Sequence, residues 1–466
     1  MKLDSIKNIY FLGIGGIGMS ALARYFNLMK YKVSGYDKTR TALTIQLEKE
    51  GININYDDKI ELIDPQFLAE KESTLIIYTP AIPENNEQYK YIQSQGFRIY
   101  KRAQVLGMLT QFKRGIAIAG THGKTSVTTM TTHLLHQSTI KCSAFLGGIS
   151  KNYDTNFLFS DTSNFIVVEA DEYDRSFHQL HPEMAVITSI DADHLDIYNT
   201  HQEVKQSFFD FICKIESNGY LVIKKEIDIS PIQKIITDKN IKINTYSIDD
   251  ASADFYASDI KTIEEYYTFT LHTPNGNIEN ITLGIPGLIN IENAIAASAL
   301  ALRAGISTQE LKNGLGIFKG VKRRFDYQLK TDSIIYIDDY AHHPEELKAF
   351  ISSVKDIYKT KKITGIFQPH LYSRTKDFAS EFAKSLSLLD ELILLDIYPA
   401  RELPMPGVTS SIIFDEVTTS KKTLCEKLKV VETINFKDTE ILLTMGAGDI
   451  DTLIEPITNA IKQKTK

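Results

Sequence analysis

Apolar, β-branched runs recur along the chain with glycine turns and amphipathic stretches between them. In the first part they are IYFLGIG (9–15), TLIIY (74–78), GIAIAG (115–120), FIVVEAD (165–171) and MAVITSI (184–190). Short runs that are apolar throughout read as strands buried on both faces, and their alternation with helix-like stretches is the rhythm of βα units around parallel sheets. The rhythm restarts further on with SIIYIDDY (333–340), KITGIFQ (362–368), ELILLDIY (391–398) and ILLTMGAGD (441–449). The pattern predicts an α/β protein of three units, residues 1–112, 113–320 and 321–466. The first break falls just before GIAIAG, the second where Gly320, Arg323 and Arg324 follow the amphipathic helix NIENAIAASALALRAG. Between 215 and 280 the text is polar and rich in Asn, Ile and Lys, and alternating stretches such as YYTFTLHT predict antiparallel strands decorating the middle unit.

Composition narrows the class. A chain of 466 residues with 43% hydrophobic content is too long for one ordinary core. Cys142, Cys213 and Cys425 stand far apart with no C-x-x-C pair, which gives neither a disulfide framework nor a zinc knuckle and fits a reducing compartment. The opening MKLDSIKNIYFLGIGGIGMS lacks a basic leader with a cleavable apolar stretch. No run approaches the roughly 18 apolar residues needed to cross a bilayer. The expectation is a cytoplasmic protein without membrane attachment, a monomer or weak homodimer. A net charge of −7 and a pI near 5.9 supply no basic field for nucleic acid. Small anions would be held instead by backbone N–H nests and individual Lys or Arg residues.

Two glycine loops answer that description. Gly13, Gly15, Gly16 and Gly18 stand in GIGGIG, after a strand-like run and before the helix-like MSALARYFNLM. That is the context of a dinucleotide fingerprint, in which glycines let the backbone approach a pyrophosphate and the helix N-terminus meets its charge. Asp37, ending the strand-like YKVSGYD, lies where a ribose-binding acid is expected. A diphosphate of NAD or of a UDP-sugar fits these residues equally, and a tight turn without ligand is the plain alternative.

The second loop follows GIAIAG. Ile118 stands where the first glycine of G-x-x-x-x-G-K-[ST] would be, leaving the compact Gly120-Thr121-His122-Gly123-Lys124-Thr125. Its chemistry is complete: N–H groups to cradle phosphate, Lys124 to reach the β/γ oxygens, and a Thr125 hydroxyl for Mg²⁺. The next strand delivers Glu169 and Asp171 at its C-terminal end, where ligands of open parallel sheets bind. A carboxylate there suits a metal, or alternatively a helix cap. Beyond the following strand His194 sits among Asp191, Asp193 and Asp196, which favours a metal-side role.

These blocks, with GVKRRFDY (320–327), DDYAHHPEE (338–346), FQPHLYSRT (368–375), DIYPARELPMPG (396–407) and GAGD (446–449), give the chain a resemblance to the Mur ligase family over essentially its whole length. The resemblance implies a Rossmann-like N-terminal domain for a UDP-sugar, a central P-loop ATPase domain with a mostly parallel sheet, and a Rossmann-like C-terminal domain. It also implies ATP with two Mg²⁺ ions, and the joining of L-alanine to the carboxylate of UDP-N-acetylmuramate. On that carry-over Gly13 to Ser20 hold the diphosphate, and His122 serves both the phosphate loop and the muramate. Lys124 and Thr125 take ATP phosphates, while Thr125, Glu169 and His194 bind metal. Asn290 and Asn293 lie near adenine, and Arg324 and Asp339 hold ATP. Tyr340, His342, His370 and Arg374 surround the amino acid. Several relatives differ at three positions, carrying Arg-His where Leu288 and Ile289 stand and an arginine where Leu371 stands. Phe209 occupies the place of a lysine that some relatives carbamylate, so no such modification is expected. Relatives adding another amino acid or a recycled peptide, an NAD-dependent oxidoreductase, and an ATP-driven remodelling module are the competing readings.

Overall fold

The computed structural model describes residues 5–191, 195–263, 265–400 and 402–464. Its first sheet comprises β1 (Asn8–Leu12), β2 (Lys32–Tyr36), β3 (Asn53–Asn55), β4 (Thr74–Tyr78) and β5 (Arg98–Lys101). Their order is β3-β2-β1-β4-β5 and every pairing is parallel. β1 is buried along its whole length because it lies in the middle of the sheet. The chain leaves β1 toward β2 and β3, then crosses back to β4, so the glycine loop after β1 sits at a topological switch point.

The second sheet holds β6 (Arg114–Ala119), β7 (Ser143–Ser150), β8 (Thr155–Leu158), β9 (Phe165–Glu169), β10 (Met184–Ile187), β11 (Tyr220–Lys224) and β12 (Lys242–Tyr246). The order is β12-β11-β10-β6-β9-β7-β8, parallel except for the β7–β8 pair. The polar stretch after 215 therefore differs from expectation at its start. β11 and β12 extend the parallel sheet: Tyr220 to Ile223 are buried between β10 and β12, and the polar Lys224, Lys242 and Asn244 stand within the strands themselves. Only β13 (Tyr256–Ile263), β14 (Tyr266–Thr273) and β15 (Gly276–Leu283) form a separate three-stranded sheet, and YYTFTLHT is β14, with buried positions at every second residue. β7, interrupted by Gly147 and Gly148, carries too weak an apolar pattern to be read as a strand.

The fourth sheet is β16 (Asp326–Lys330), β17 (Ile335–Asp339), β18 (Ile363–Phe367), β19 (Glu391–Leu395), β20 (Lys421–Cys425) and β21 (Ile441–Met445). It runs β16-β17-β21-β18-β19-β20 with only β16 antiparallel.

Contacts divide the chain into two compact units. One takes in residues up to Asp259 with Phe269–Ile281 and Asn293–Phe318; the other is Ile260–Thr268, Thr282–Glu292 and Lys319–Lys466. The first two sheets share a unit because the helix Ile17–Leu28 packs on β7 and β8. Tyr25 lies with its ring centroid 5.8 Å from Phe145 and 6.0 Å from Phe157, and Asn156 donates to the Ser20 hydroxyl at 2.9 Å. Among the described residues no helix is long and apolar enough to cross a membrane.

Candidate functional site

In the first unit β6 runs into the loop Gly120–Gly123 and the helix Lys124–Gln137. Gly123 has φ +80°, a left-handed turn that costs glycine little and most other residues much more. At Gly120 a Cβ would lie 1.9 Å from the Thr188 hydroxyl, so the loop can close on β10 only with glycine there. The residues just past β10 fasten it. Thr188 donates to the His122 carbonyl at 2.5 Å, His122 N–H donates to the Ser189 hydroxyl at 2.9 Å, and Thr121 and Ser189 hydroxyls meet at 2.8 Å. The His122 ring lies 3.8 Å from Asp191. The Asn293 amide oxygen is close enough to Gly123 that a Cβ there would sit 3.0 Å from it.

Lys124 folds back over this loop. Its ammonium donates to the Gly120 carbonyl at 2.6 Å, to the Thr121 carbonyl at 3.2 Å and to Glu172 at 2.8 Å. Burial works against the charged form, but the carboxylates of Glu172, Asp171 and Glu169 outweigh it and raise the lysine pKa. Thr125 donates its hydroxyl to Glu169 at 3.1 Å. Gly147 leaves room for that carboxylate, since a Cβ there would be 2.2 Å from it. Among the described residues no group of three His, Cys, Asp or Glu gathers to cage a metal. A hydroxyl and one carboxylate fit magnesium, which keeps most of its shell as water and phosphate oxygen. His194, assigned to the metal from sequence, and its neighbour Asp193 lie outside the described residues.

A cavity of about 250 Å³ joins this strand end to the N-terminal glycine loop. Gly16, Gly18, Arg102, Gly147, Glu169 and Asp171 are among the residues that line it. Arg102 lies 3.5 Å from Asp171 and against Gly18, where a Cβ would be 2.5 Å from the guanidinium. Gly13, with φ +86°, donates its N–H to the Tyr36 carbonyl at 2.8 Å and turns the chain into the helix. Asp37 accepts from the Gly15 N–H at 2.7 Å and from the Thr39 N–H at 3.0 Å, so its carboxylate braces the loop. Ser20 is fully buried and donates to the Ile17 carbonyl at 2.9 Å; it knits the helix rather than lining the cavity.

The second unit gathers another group at the C-terminal ends of β17 and β18. The rings of Tyr340 and His342 lie 5.3 Å apart, and those of His342 and His370 6.1 Å apart. Arg324 stacks 5.1 Å over Tyr340, and Glu346 receives the backbone N–H of His342 at 3.0 Å. Arg374 is buried on the helix Tyr372–Asp377. Asn290 is also buried, its amide donating to the Pro286 carbonyl at 2.6 Å. Leu371 holds φ +71°, an unfavourable conformation for a leucine at the turn between His370 and this helix. Asp339 accepts the N–H groups of Phe325 and Ala341, each at 2.7 Å.

Burial raises Asp339 from 3.8 to about 6, with Arg324 opposing the change. A raised folded-state value means the folded chain holds this proton more tightly, so the contribution is full below about pH 4 and is lost as pH rises through about 6, a loss of about 3 kcal/mol. The expected result is that the stability difference between wild type and Asp339→Asn changes by about that amount between pH 4 and 7, in urea unfolding. A difference that stays flat with pH refutes it.

Sequence reasoning did not single out Arg102, Glu172, Thr188 or Ser189. Thr-Ser at the C-terminal end of a strand was the available signal for the last pair. Arg102 and Glu172 carry none, because their partners, Asp171 and Lys124, lie far from them along the chain.

The glycine loop, lysine and hydroxyl after a central parallel strand define an α/β protein of the phosphate-loop class. The model for the Mur ligase family catalytic domain matches residues 8–114, that for the Mur ligase middle domain 118–301, and that for the Mur ligase glutamate ligase domain 323–448. The chain belongs to the Mur ligase family. It is similar to the UDP-N-acetylmuramate–L-alanine ligase of Parabacteroides distasonis, 51% identical over 457 residues, 98% of each chain. Its counterpart of the same name in Phocaeicola vulgatus is 48% identical over 465 residues, 100% of each. Among solved structures, the UDP-N-acetylmuramate–alanine ligase of Thermotoga maritima aligns with a TM-score of 0.81 at 25% identity, covering 98% of this chain and 100% of that one.

Proposed function

We propose that the protein is an ATP-dependent ligase that joins L-alanine to the lactyl carboxylate of UDP-N-acetylmuramate, giving UDP-N-acetylmuramoyl-L-alanine, ADP and phosphate in peptidoglycan biosynthesis. The observation that carries this reading is the cavity joining the N-terminal glycine loop to the strand end bearing Glu169, beside Lys124 and Thr125. Full-length similarity to ligases of that name supports the choice of substrates.

A free carboxylate resists attack by an amine because its oxygen is a poor leaving group. Transfer of the terminal phosphoryl group of ATP to that oxygen gives an acyl-phosphate, and attack by the alanine amine then expels phosphate. Gly120 to Gly123 cradle the phosphates with backbone N–H groups, and Lys124 and Arg374 spread the charge of the group in flight. Thr125, Glu169 and His194 would hold magnesium, two ions in all, which neutralises charge on the phosphate oxygens. Gly13, Gly15, Gly16 and Gly18 let the UDP diphosphate approach the backbone, and His122 faces the muramate. Asn290, Asn293, Arg324 and Asp339 hold the nucleotide. Tyr340, His370 and Arg374 orient the alanine, and His342 accepts the proton its ammonium must lose before the amine can attack.

Phosphate release from ATP is the test, measured over a panel of amino acids with and without UDP-N-acetylmuramate. Strict dependence on both alanine and the nucleotide sugar is expected. Turnover of ATP that ignores the sugar, with no amide product, refutes the ligase; preference for glutamate, a diamino acid or a tripeptide points to another branch of the family.

A further inference from the structure

We propose that Glu172 is a positioning residue that competes with the terminal phosphates of ATP for the Lys124 ammonium, and so sets how tightly the nucleotide is held. An ammonium has three protons, and the acceptors for all of them are in place: the Gly120 and Thr121 carbonyls and the Glu172 carboxylate. A phosphate oxygen that takes a bond from Lys124 displaces one of these. The carbonyls belong to the loop backbone, which Thr188 and Ser189 tie to β10. Glu172 is the partner that is itself an anion, so it is the one a phosphate repels and replaces. It does not drift off: its side chain is 1% exposed, and its carbonyl accepts from the buried Tyr198 hydroxyl at 2.5 Å. The carboxylate is therefore held in place beside Lys124, where it competes with an incoming phosphate and where the pair can reform when product leaves.

This inference uses the ligase reading only for ATP binding at this loop, so it is tested on nucleotide affinity alone, by titration calorimetry of the full chain without alanine or nucleotide sugar. Glu172→Gln keeps the shape and removes the charge; it is expected to tighten ATP roughly tenfold. AMP, which lacks the β- and γ-phosphates, should bind as it does to the wild type. In a Lys124→Ala background the same substitution should change ATP affinity less than about twofold, because the competition passes through the lysine. Glu172→Asp withdraws the carboxylate by one methylene and should tighten ATP by a smaller factor, and it carries the test if the glutamine variant does not fold. Unchanged or weaker ATP binding in the Glu172 variants overturns the proposal. Tightening that extends to AMP, or that persists without Lys124, overturns it as well, since either would be general repulsion. Loss of alanine-dependent product formation in the wild type would instead strike the ligase reading and leave this result standing.

Discussion

Lys124→Ala is expected to lower turnover by at least two powers of ten while leaving the fold recognisable by circular dichroism. The lysine contributes the positive charge nearest the phosphate loop, and removing one such stabiliser from a transferring group costs about 3 kcal/mol. The substitution also strands Glu172, whose side chain is 1% exposed, so thermal stability should fall with activity. Lys124→Arg should not restore the rate. A planar guanidinium cannot place its donors on the Gly120 and Thr121 carbonyls and the Glu172 carboxylate as the compact ammonium does. Single-turnover phosphate release measures the effect, and a rate within threefold of wild type at saturating ATP, taken as roughly normal turnover, removes Lys124 from the mechanism.

Arg323→Ala is expected to destabilise the second unit by about 3–5 kcal/mol, the cost of breaking a buried ion pair from one side. Asp338 is fully buried at the end of β17, with Arg323 at 3.1 Å and the Thr444 hydroxyl donating to it at 2.6 Å. Arg323 also donates to the Gly446 carbonyl at 2.7 Å, which joins the segment just before β16 to the loop after β21. Burial already raises the Asp338 pKa and Arg323 holds it down. Without the arginine the carboxylate would favour its protonated form still more, so the loss should be larger at pH 8 than at pH 5. The midpoint of urea unfolding reads both results. A midpoint that does not move shows that the pair adds nothing, and Arg323→Met with Asp338→Leu should recover part of the loss by replacing the charges with packing.

The contrast between the two arginines of GVKRRFDY shows where sequence stops. Side by side they read equally well as a solvated linker pair, yet both guanidiniums lie 5.1 Å from the Tyr340 ring, and Arg323 is tied to the buried Asp338 carboxylate while Arg324 lies 3.9 Å from Glu346. The same holds for Asp37, whose position after β2 suits a ribose but whose carboxylate braces Gly15.

What the amino-acid sequence determined by itself was whatever depends on neighbours along the chain. Apolar runs located the central strands, because a strand covered on both faces must be apolar at every position. Gly120 to Thr125 announced a phosphate loop because that chemistry is local, made by consecutive backbone N–H groups and the two side chains that follow. Tertiary structure alone decided which distant groups meet. Glu172 reached Lys124, Arg102 reached Asp171, and Thr188 and Ser189 clamped the loop. It also decided that β11 and β12 join the parallel sheet, since the order of strands follows from how the whole sheet buries its faces and no single segment carries that information.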